Sequence, residues 1–348
     1  MIRVLIVDDS PTLRHLIRVV LESDPALQVG GEAGNGDEAI VLCERLQPDI
    51  ITMDIHMPKM SGFDAIEHIM ANSPRPIVVC TTTISAKELN IAFKAIEAGA
   101  LAVTWKPGGL PHLDSNADKL IDTVKAMADV KVVRRRPWLL QNSLTPAIQP
   151  PIRISEDVSL IAIGASTGGP PAIQMILLGL EQPLPIPIII VQHITPGFVV
   201  GLAHWLDDTT SSTVKLAEHG EVLQPGHVYL APDEHHLEVA LGNQVRLQKS
   251  EPVSGHRPSV DAMFKAVAQT LKSRAIGVLL TGMGEDGARG LLSMSEVGAY
   301  TISQDEESSV VFGMPKAAIA MGSAQEVLAL DAIAPRLASL VKTRKQLR

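Results

Sequence analysis

The strongest constraint on this chain is a rhythm. Apolar runs of four to seven residues alternate with amphipathic stretches, and the runs give way to polar or glycine-rich turns. Runs that short, separated by helix-length amphipathic segments, are the mark of parallel strands joined by βαβ crossovers. The first series predicts strands at residues 3–7, 28–33, 50–53, 77–80 and 102–105. Helices should open near Ser10, Gly36, Ser61, Ala86 and Asp114. This describes a five-stranded, doubly wound sheet.

The rhythm stops between about residues 131 and 155, where Arg134-Arg135-Arg136-Pro137-Trp138 leads into a proline-containing polar stretch. That stretch reads as a solvated linker, or as a docking segment built on the arginines and Trp138. A second alternation follows, with strands expected at 160–164, 186–192 and 275–280. Residues 227–230 and 237–241, then Gly242-Asn243 and 245–248, carry a hairpin signal, so an antiparallel piece is expected within this half. The expectation is a two-domain α/β protein, with an N-terminal domain over 1–125, a linker over 126–154 and a C-terminal domain over 155–345. The second sheet should be doubly wound and mostly parallel, with an antiparallel hairpin. A length of 348 residues suits two such domains.

Composition narrows function. A net charge of −8, with three Trp, two Tyr and five Phe, supplies neither the basic footprint nor the stacking platforms that nucleic-acid binders use. Cys43 and Cys80 cannot form a disulfide framework or a metal cluster, and both sit among apolar residues. The apolar start of the chain reaches Asp8-Asp9 too soon for a signal peptide. The run from Pro187 to Val191 is far short of the ~20 residues that span a bilayer. A reduced, cytoplasmic protein with no direct membrane insertion is expected.

Chemistry gathers at predicted strand ends. Asp8-Asp9 ends the first strand, Asp54 follows the third, Thr82 the fourth and Lys106 the fifth. In an open parallel sheet these ends lie along one edge, where ligands bind. Carboxylates gathered there repel one another and suit a hard divalent cation, with Mg²⁺ the natural choice. A single Asp at such a place is ordinarily a turn or helix cap. The full set, with Asp54-Ile55-His56-Met57-Pro58-Lys59-Met60-Ser61-Gly62, resembles the receiver domain of two-component response regulators. That resemblance implies that Asp54 accepts a phosphoryl group from a chemotaxis histidine kinase. It assigns Mg²⁺ to Asp9, Asp54 and the backbone carbonyl of His56, with Asp8 supporting, and phosphoryl contacts to Lys106 and Thr82. Thr81 and Thr83 flank Thr82, so that assignment could shift by one. The aromatic switch position falls at Val103 or Trp105.

The second half opens with an apolar strand running into Gly164-Ala165-Ser166-Thr167-Gly168-Gly169-Pro170. Gly-x-Ser-x-Gly between strand and helix is the pattern of a nucleophile elbow, whose small neighbours let the backbone turn tightly and expose the hydroxyl. A glycine-rich phosphate cradle and plain turn packing are the rival readings. A serine nucleophile needs a base and an orienting acid. His193 ends the next strand, and the strand near 275–280 leads to Glu285-Asp286. Ser166, His193 and Asp286 therefore form a candidate triad in that chain order, with Glu285 as the competing acid. The amide of Thr167 is the natural oxyanion donor. The other histidines, including His219, His227 and His235-His236, lack acids or cysteines at ligand spacing. His256 and Arg257 could serve a substrate carboxylate or a structural ion pair.

These segments resemble the catalytic domain of the chemotaxis protein-glutamate methylesterases. The resemblance rests on Gly164–Pro170, Gln192-His193-Ile194, Gly255–Asp261, Thr281–Ala288 and Val311–Ala317. It settles the acid as Asp286, adds the backbone amide of Met283 to the oxyanion site, and departs from the usual pattern at Glu285, where asparagine is commoner. The implied activity is a phosphorylation-gated serine esterase that releases methanol from glutamate methyl esters on the cytoplasmic helices of chemoreceptors. A companion activity would deamidate receptor glutamines. Ester hydrolysis would need no cofactor. Two other classes compete: a receiver-linked transcription factor, disfavoured because its output would be a short basic helix-turn-helix, and a catalytically silent adaptor.

Overall fold

In a computed structural model of the chain, the described residues are 1–82, 86–130, 132, 158–181 and 183–342. They fall into two compact units, divided near residue 142. The expected arginine-rich linker and Trp138 lie outside the described residues.

The first unit runs β1 (Ile2–Val7), α1 (Pro11–Glu22), β2 (Leu27–Ala33), α2 (Gly36–Leu46), β3 (Ile50–Met53), α3 (Gly62–Asn72), β4 (Ile77–Thr81), α4 (Ala86–Ala98), β5 (Ala102–Trp105) and α5 (Ser115–Ala128). Every strand pair is parallel, in the order β2-β1-β3-β4-β5. Val4, Leu5, Ile6, Ile50, Ile51, Ile77, Val78 and Val79 are fully buried. That is why these runs are continuously apolar rather than alternating: helices cover both faces of the sheet. Helix starts are set by caps. The side chains of Ser10, Asn35, Ser61 and Asp114 accept from the amides of Leu13, Glu38, Asp64 and Asn116, each satisfying an amide that the helix cannot. Pro11 adds its fixed φ to the first turn of α1.

The second unit continues with β6 (Leu160–Ala165), α6 (Gly169–Gly179), β7 (Ile188–Gln192), α7 (Val199–Thr209), β8 (Thr213–Leu216), β9 (His227–Leu230), β10 (His236–Ala240) and β11 (Gln244–Gln248). It closes with α8 (Val260–Leu271), β12 (Ala275–Leu279), α9 (Ala288–Glu296), β13 (Tyr300–Gln304), α10 (Met314–Ala320), β14 (Glu326–Leu328) and α11 (Leu330–Lys342). The main sheet has the order β14-β13-β12-β6-β7-β9-β8 and is parallel throughout.

The expected hairpin forms, with Gly242 and Asn243 both at positive φ between β10 and β11. It is a separate two-stranded sheet. The run at 227–230, which precedes it, is instead a parallel strand of the main sheet. Leu237, Val239 and Val245 of the hairpin share one core with Val260, Phe264 and Val267 of α8 and with Leu160, Ala162 and Ile189 of the sheet. The hairpin is thus an apolar cover on one side of α8.

Three strands are absent from the sequence reading. β8 is a short, partly exposed edge, β14 has three residues, and β13 is rich in polar side chains although buried.

Candidate active site and acid pocket

Both candidate sites sit where parallel strands end. In the first unit β1 and β3 are neighbours from which the chain winds in opposite directions, so their carboxyl ends open a crevice. Asp8 and Asp54 face each other there, nearly buried, and Lys106 reaches in from beyond β5. Its Nζ lies 2.7 Å from Asp8 Oδ2 and 2.9 Å from Asp54 Oδ2. The Lys106 amide donates to the Thr81 carbonyl at 2.8 Å, which anchors the lysine beside the end of β4.

One ammonium thus serves two carboxylates. Burial pushes the Asp54 carboxyl above its ordinary value, and the neighbouring Asp8 adds to the effect, outweighing Lys106. Burial alone would lower the lysine, but hydrogen bonds and charge from Asp8 and Asp54 hold it above its usual range. The exposed Asp9 completes the set: ligand atoms of Asp8, Asp9 and Asp54 lie within 4.8 Å of one another, the only such group of three among the described residues. An all-oxygen donor set of this kind fits Mg²⁺.

Arg14 fixes the β1–α1 turn by donating to the carbonyls of Asp8 and Asp9 at 2.7 and 3.3 Å. Gly62 opens α3 so close to Asp54 that a Cβ would fall 1.9 Å from the Asp54 carbonyl oxygen, so no other residue fits. Thr82 lies exposed one residue past β4, Thr81 is half-buried and Thr83 lies outside the described residues. Val103 is buried and Trp105 half-buried.

In the second unit β6 is central, with β7 on one side and β12 on the other. Ser166 follows β6, His193 follows β7, and the loop from Thr281 to Gly287 follows β12. The Ser166 amide donates to the Thr281 carbonyl and the His193 amide to the Ala165 carbonyl, at 3.0 and 2.9 Å. Gln192 ties these ends together, its Nε2 donating to the carbonyls of Ser166 and His193 at 2.7 and 2.8 Å. Gly168 holds φ +77°, and a Cβ there would meet Val310 Cβ at 2.5 Å. The elbow therefore needs glycine both for its turn and for the loop packed on it.

Asp286, not Glu285, stands by the histidine. Asp286 Oδ2 is 2.9 Å from His193 Nε2, whereas Glu285 is exposed and pairs with Arg289 at 3.3 Å. The His193 contact is close but poorly aligned, so neither ring nitrogen makes a well-directed hydrogen bond. Among the described residues no hydrogen bond joins the Ser166 hydroxyl to His193. Resting catalytic contacts are often loose in this way and tighten with substrate. The amides of Thr167 and Met283 likewise have no acceptor among the described residues.

Asp286 is held from behind by the N-terminus of α8. Ser259 Oγ and the Asp261 amide donate to Oδ1 at 2.9 and 3.0 Å, and the Val260 amide to Oδ2 at 2.8 Å. Burial opposes ionisation, but the His193 contact and these amides outweigh it and hold the carboxyl below its ordinary value. The arrangement is reciprocal. Asp261, in the first turn of α8, accepts from the amides of Gly287 and Gly290 at the start of α9, at 3.0 and 2.6 Å. Behind both, the buried His236 accepts the Ser259 amide on Nδ1 at 3.2 Å and places Nε2 3.1 Å from the Glu251 carbonyl.

Gln192, Ser259, Asp261 and His236 were not identified as site residues from sequence, although Gln192, Ser259 and Asp261 lie within the segments that carried the resemblance. The one local signal was a cap serine followed two residues later by an acid. Arg257 proves to be a structural partner, bound to Glu234 and to the Ser250 carbonyl.

Comparison with known proteins agrees with both halves. Residues 4–118 match the response regulator receiver domain family, and residues 161–337 match the CheB methylesterase family. A protein-glutamate methylesterase/protein-glutamine glutaminase of Nitrosospira multiformis is 45% identical over 350 residues, covering 99% of this chain and 98% of the relative. One of Geobacter metallireducens is 44% identical, covering 98% of this chain and 99% of its own. The crystal structure of the Thermotoga maritima CheB methylesterase catalytic domain is 44% identical, with a TM-score of 0.51, covering 53% of this chain and 98% of that one. With a receiver unit, a strand-end serine site and near full-length likeness to these proteins, the chain belongs to the CheB methylesterase family.

Proposed function

We propose that this chain is a protein-glutamate methylesterase and protein-glutamine glutaminase acting in chemotaxis adaptation under control of phosphorylation at Asp54. In this reading residues 1–125 are the receiver, 126–154 the linker and 155–345 the catalytic segment. One observation carries the hydrolase assignment: Ser166, His193 and an Asp286 saturated by donors converge from the ends of β6, β7 and β12.

Ser166 Oγ attacks the γ-carbonyl carbon of a glutamate methyl ester as His193 takes the hydroxyl proton. Asp286 holds the imidazole and stabilises the charge it gains. The carbonyl oxygen becomes an oxyanion at the amides of Thr167 and Met283. Collapse breaks the bond to the methoxy group, which leaves as methanol with the proton from His193. Water then attacks the acyl-Ser166 bond, passing a proton to His193, and Ser166 leaves as its hydroxyl with that proton restored. The products are glutamate carboxylate and methanol; from a glutamine amide the same steps release ammonia.

In the receiver, Asp54 is the phosphoryl acceptor, Lys106 and Thr82 contact the phosphoryl oxygens, and Asp8, Asp9, Asp54 and the His56 carbonyl hold Mg²⁺. Bound Mg²⁺ would neutralise charge on the transferring group. Lys106, already between Asp8 and Asp54, would move its hydrogen bond to the phosphoryl oxygens. The donor would be a chemotaxis histidine kinase and the substrates cytoplasmic helices of chemoreceptors. Among the described residues no helix is long and apolar enough to cross a membrane, which fits work on the cytoplasmic side.

The test is methanol release from methyl-labelled receptor membranes, with and without Mg²⁺ and a small phosphodonor. Release that rises with phosphodonor and disappears in Ser166→Ala is expected. Release unchanged in that variant would overturn the reading.

A further inference from the structure

His256, just ahead of α8, is stacked on the histidine assigned as base. The two ring centroids are 4.0 Å apart and the planes differ by 12°. Among the described residues His256 makes no salt bridge, and its neighbour in sequence, Arg257, is bound to Glu234. Its backbone is pinned by a two-way exchange with Val253, both bonds at 3.0 Å, so the ring is presented from a braced turn while its residue stays exposed.

His193 needs such a support. Asp286 touches only one edge of its ring, and that contact is close without being well directed. An edge contact leaves the ring free to swing about its own axis, which would carry the other nitrogen away from the Ser166 hydroxyl. A flat group against one face removes that freedom. The same group meets a charge during turnover, because His193 becomes an imidazolium when it takes the serine proton. A neutral aromatic face stabilises a cation at this range, whereas a second imidazolium would repel it.

Resting on the hydrolase reading of this site, we propose that His256 is a positioning residue for acyl transfer. It holds the His193 imidazole in the plane shared with Asp286 and Ser166 and offers a neutral face to the charge His193 acquires. Two further observations agree with the role. Desolvation of the stacked ring, then the nearby His193, push His256 below its ordinary value, and Asp286 opposes them only partly, which favours the neutral form of the stacked ring. The charged groups around it are accounted for: His193 beyond β7, Asp286 beyond β12, and Arg257 turned away to Glu234 and the Ser250 carbonyl.

The test uses the full chain, with methanol release from methyl-labelled receptor membranes followed across pH. His256→Ala should lower kcat by about tenfold while KM stays within about twofold, since the base is misplaced but substrate binding is untouched. His256→Phe keeps a flat neutral ring and should restore most of kcat. Its acid limb should be less steep than that of the parent protein, because one proton no longer reports on the stack. A His256→Ala protein with parental kcat overturns the proposal. So does a folded His256→Phe protein as impaired as the alanine variant, or one with an unchanged acid limb. If His256→Ala fails to fold, the phenylalanine variant decides alone. Ser166→Ala separates the two levels: activity surviving there sinks the hydrolase reading, whereas a failure confined to the His256 variants sinks only the stacking role.

Discussion

Asp54 and Asp286 occupy equivalent places in two unlike sites, and their surroundings drive them in opposite directions. Each lies at the carboxyl edge of a parallel sheet and each is nearly buried, at 6% and 2% exposure. Asp54 shares a single ammonium with Asp8, so burial wins and its carboxyl is pushed up. Asp286 receives a hydroxyl, two helix amides and the histidine, so hydrogen bonds win and its carboxyl is pushed down. A carboxylate left short of partners seeks a cation or an electrophile. A saturated one is a fixed charge that orients its neighbour. Burial alone thus says nothing about a carboxylate's task; the count of its donors does.

The sharpest way to break this contrast is to remove reactivity from each site in turn. Ser166→Ala should cut methanol release by about 10⁴-fold or more, yet leave phosphoryl uptake at Asp54 intact, as read with a labelled phosphodonor. Asp286→Asn should cost on the order of 10³–10⁴ in kcat, because an amide presents the wrong hydrogen-bonding group to His193. If Asp286 acted as a second acceptor rather than an orienting charge, the loss would track KM instead.

Asp261→Ala should destabilise the second unit by about 2–4 kcal/mol in denaturant melts, since it orphans the amides of Gly287 and Gly290 that open α9.

The smallest effect separates the carboxylates by pH. A raised value means that folded Asp54 binds its proton more tightly than the unfolded chain does. Its stabilising contribution is present below the ordinary carboxylate value and is lost as pH rises through the raised one. Asp54→Asn should therefore raise the melting temperature of the first unit by a few degrees at neutral pH, with the gain disappearing toward pH about 4. Asp286 has the opposite sign, stabilising above the ordinary carboxylate value and failing as pH falls through its lowered one. Calorimetry of Asp54→Asn against Asp286→Asn across that range would show gains and losses of the same sign if the contrast were wrong.

Legibility followed a physical divide. Of the first unit's strands, β3 and β4 were the most readable, as short, mostly apolar runs buried along nearly their whole length, and four helix starts carried a capping side chain. β13 was not readable. Its Thr301, Ser303 and Gln304 are wholly buried, which only their partners permit: the Ser323 carbonyl, the Pro315 carbonyl and the Ser308 carbonyl. Those acceptors lie 22, 12 and 4 residues away, beyond any local pattern. The choice between Glu285 and Asp286 was open to spacing for the same reason. Both follow the same strand, and only the amides of α8 and the edge of His193 distinguish them.

The amino-acid sequence by itself determined most of the strands, the break between two α/β halves, and which reactive groups arrive at the strand ends. Those properties depend on apolar run length, capping residues and glycine turns, all of which act over a few positions. Tertiary structure alone decided the direction in which each carboxyl is pushed, the crossed capping of α8 and α9 by Asp286 and Asp261, and the seating of His256 against His193. Those depend on donors and ring faces brought together across 26 to 93 residues of chain, where the energy of one contact is set by what else surrounds it.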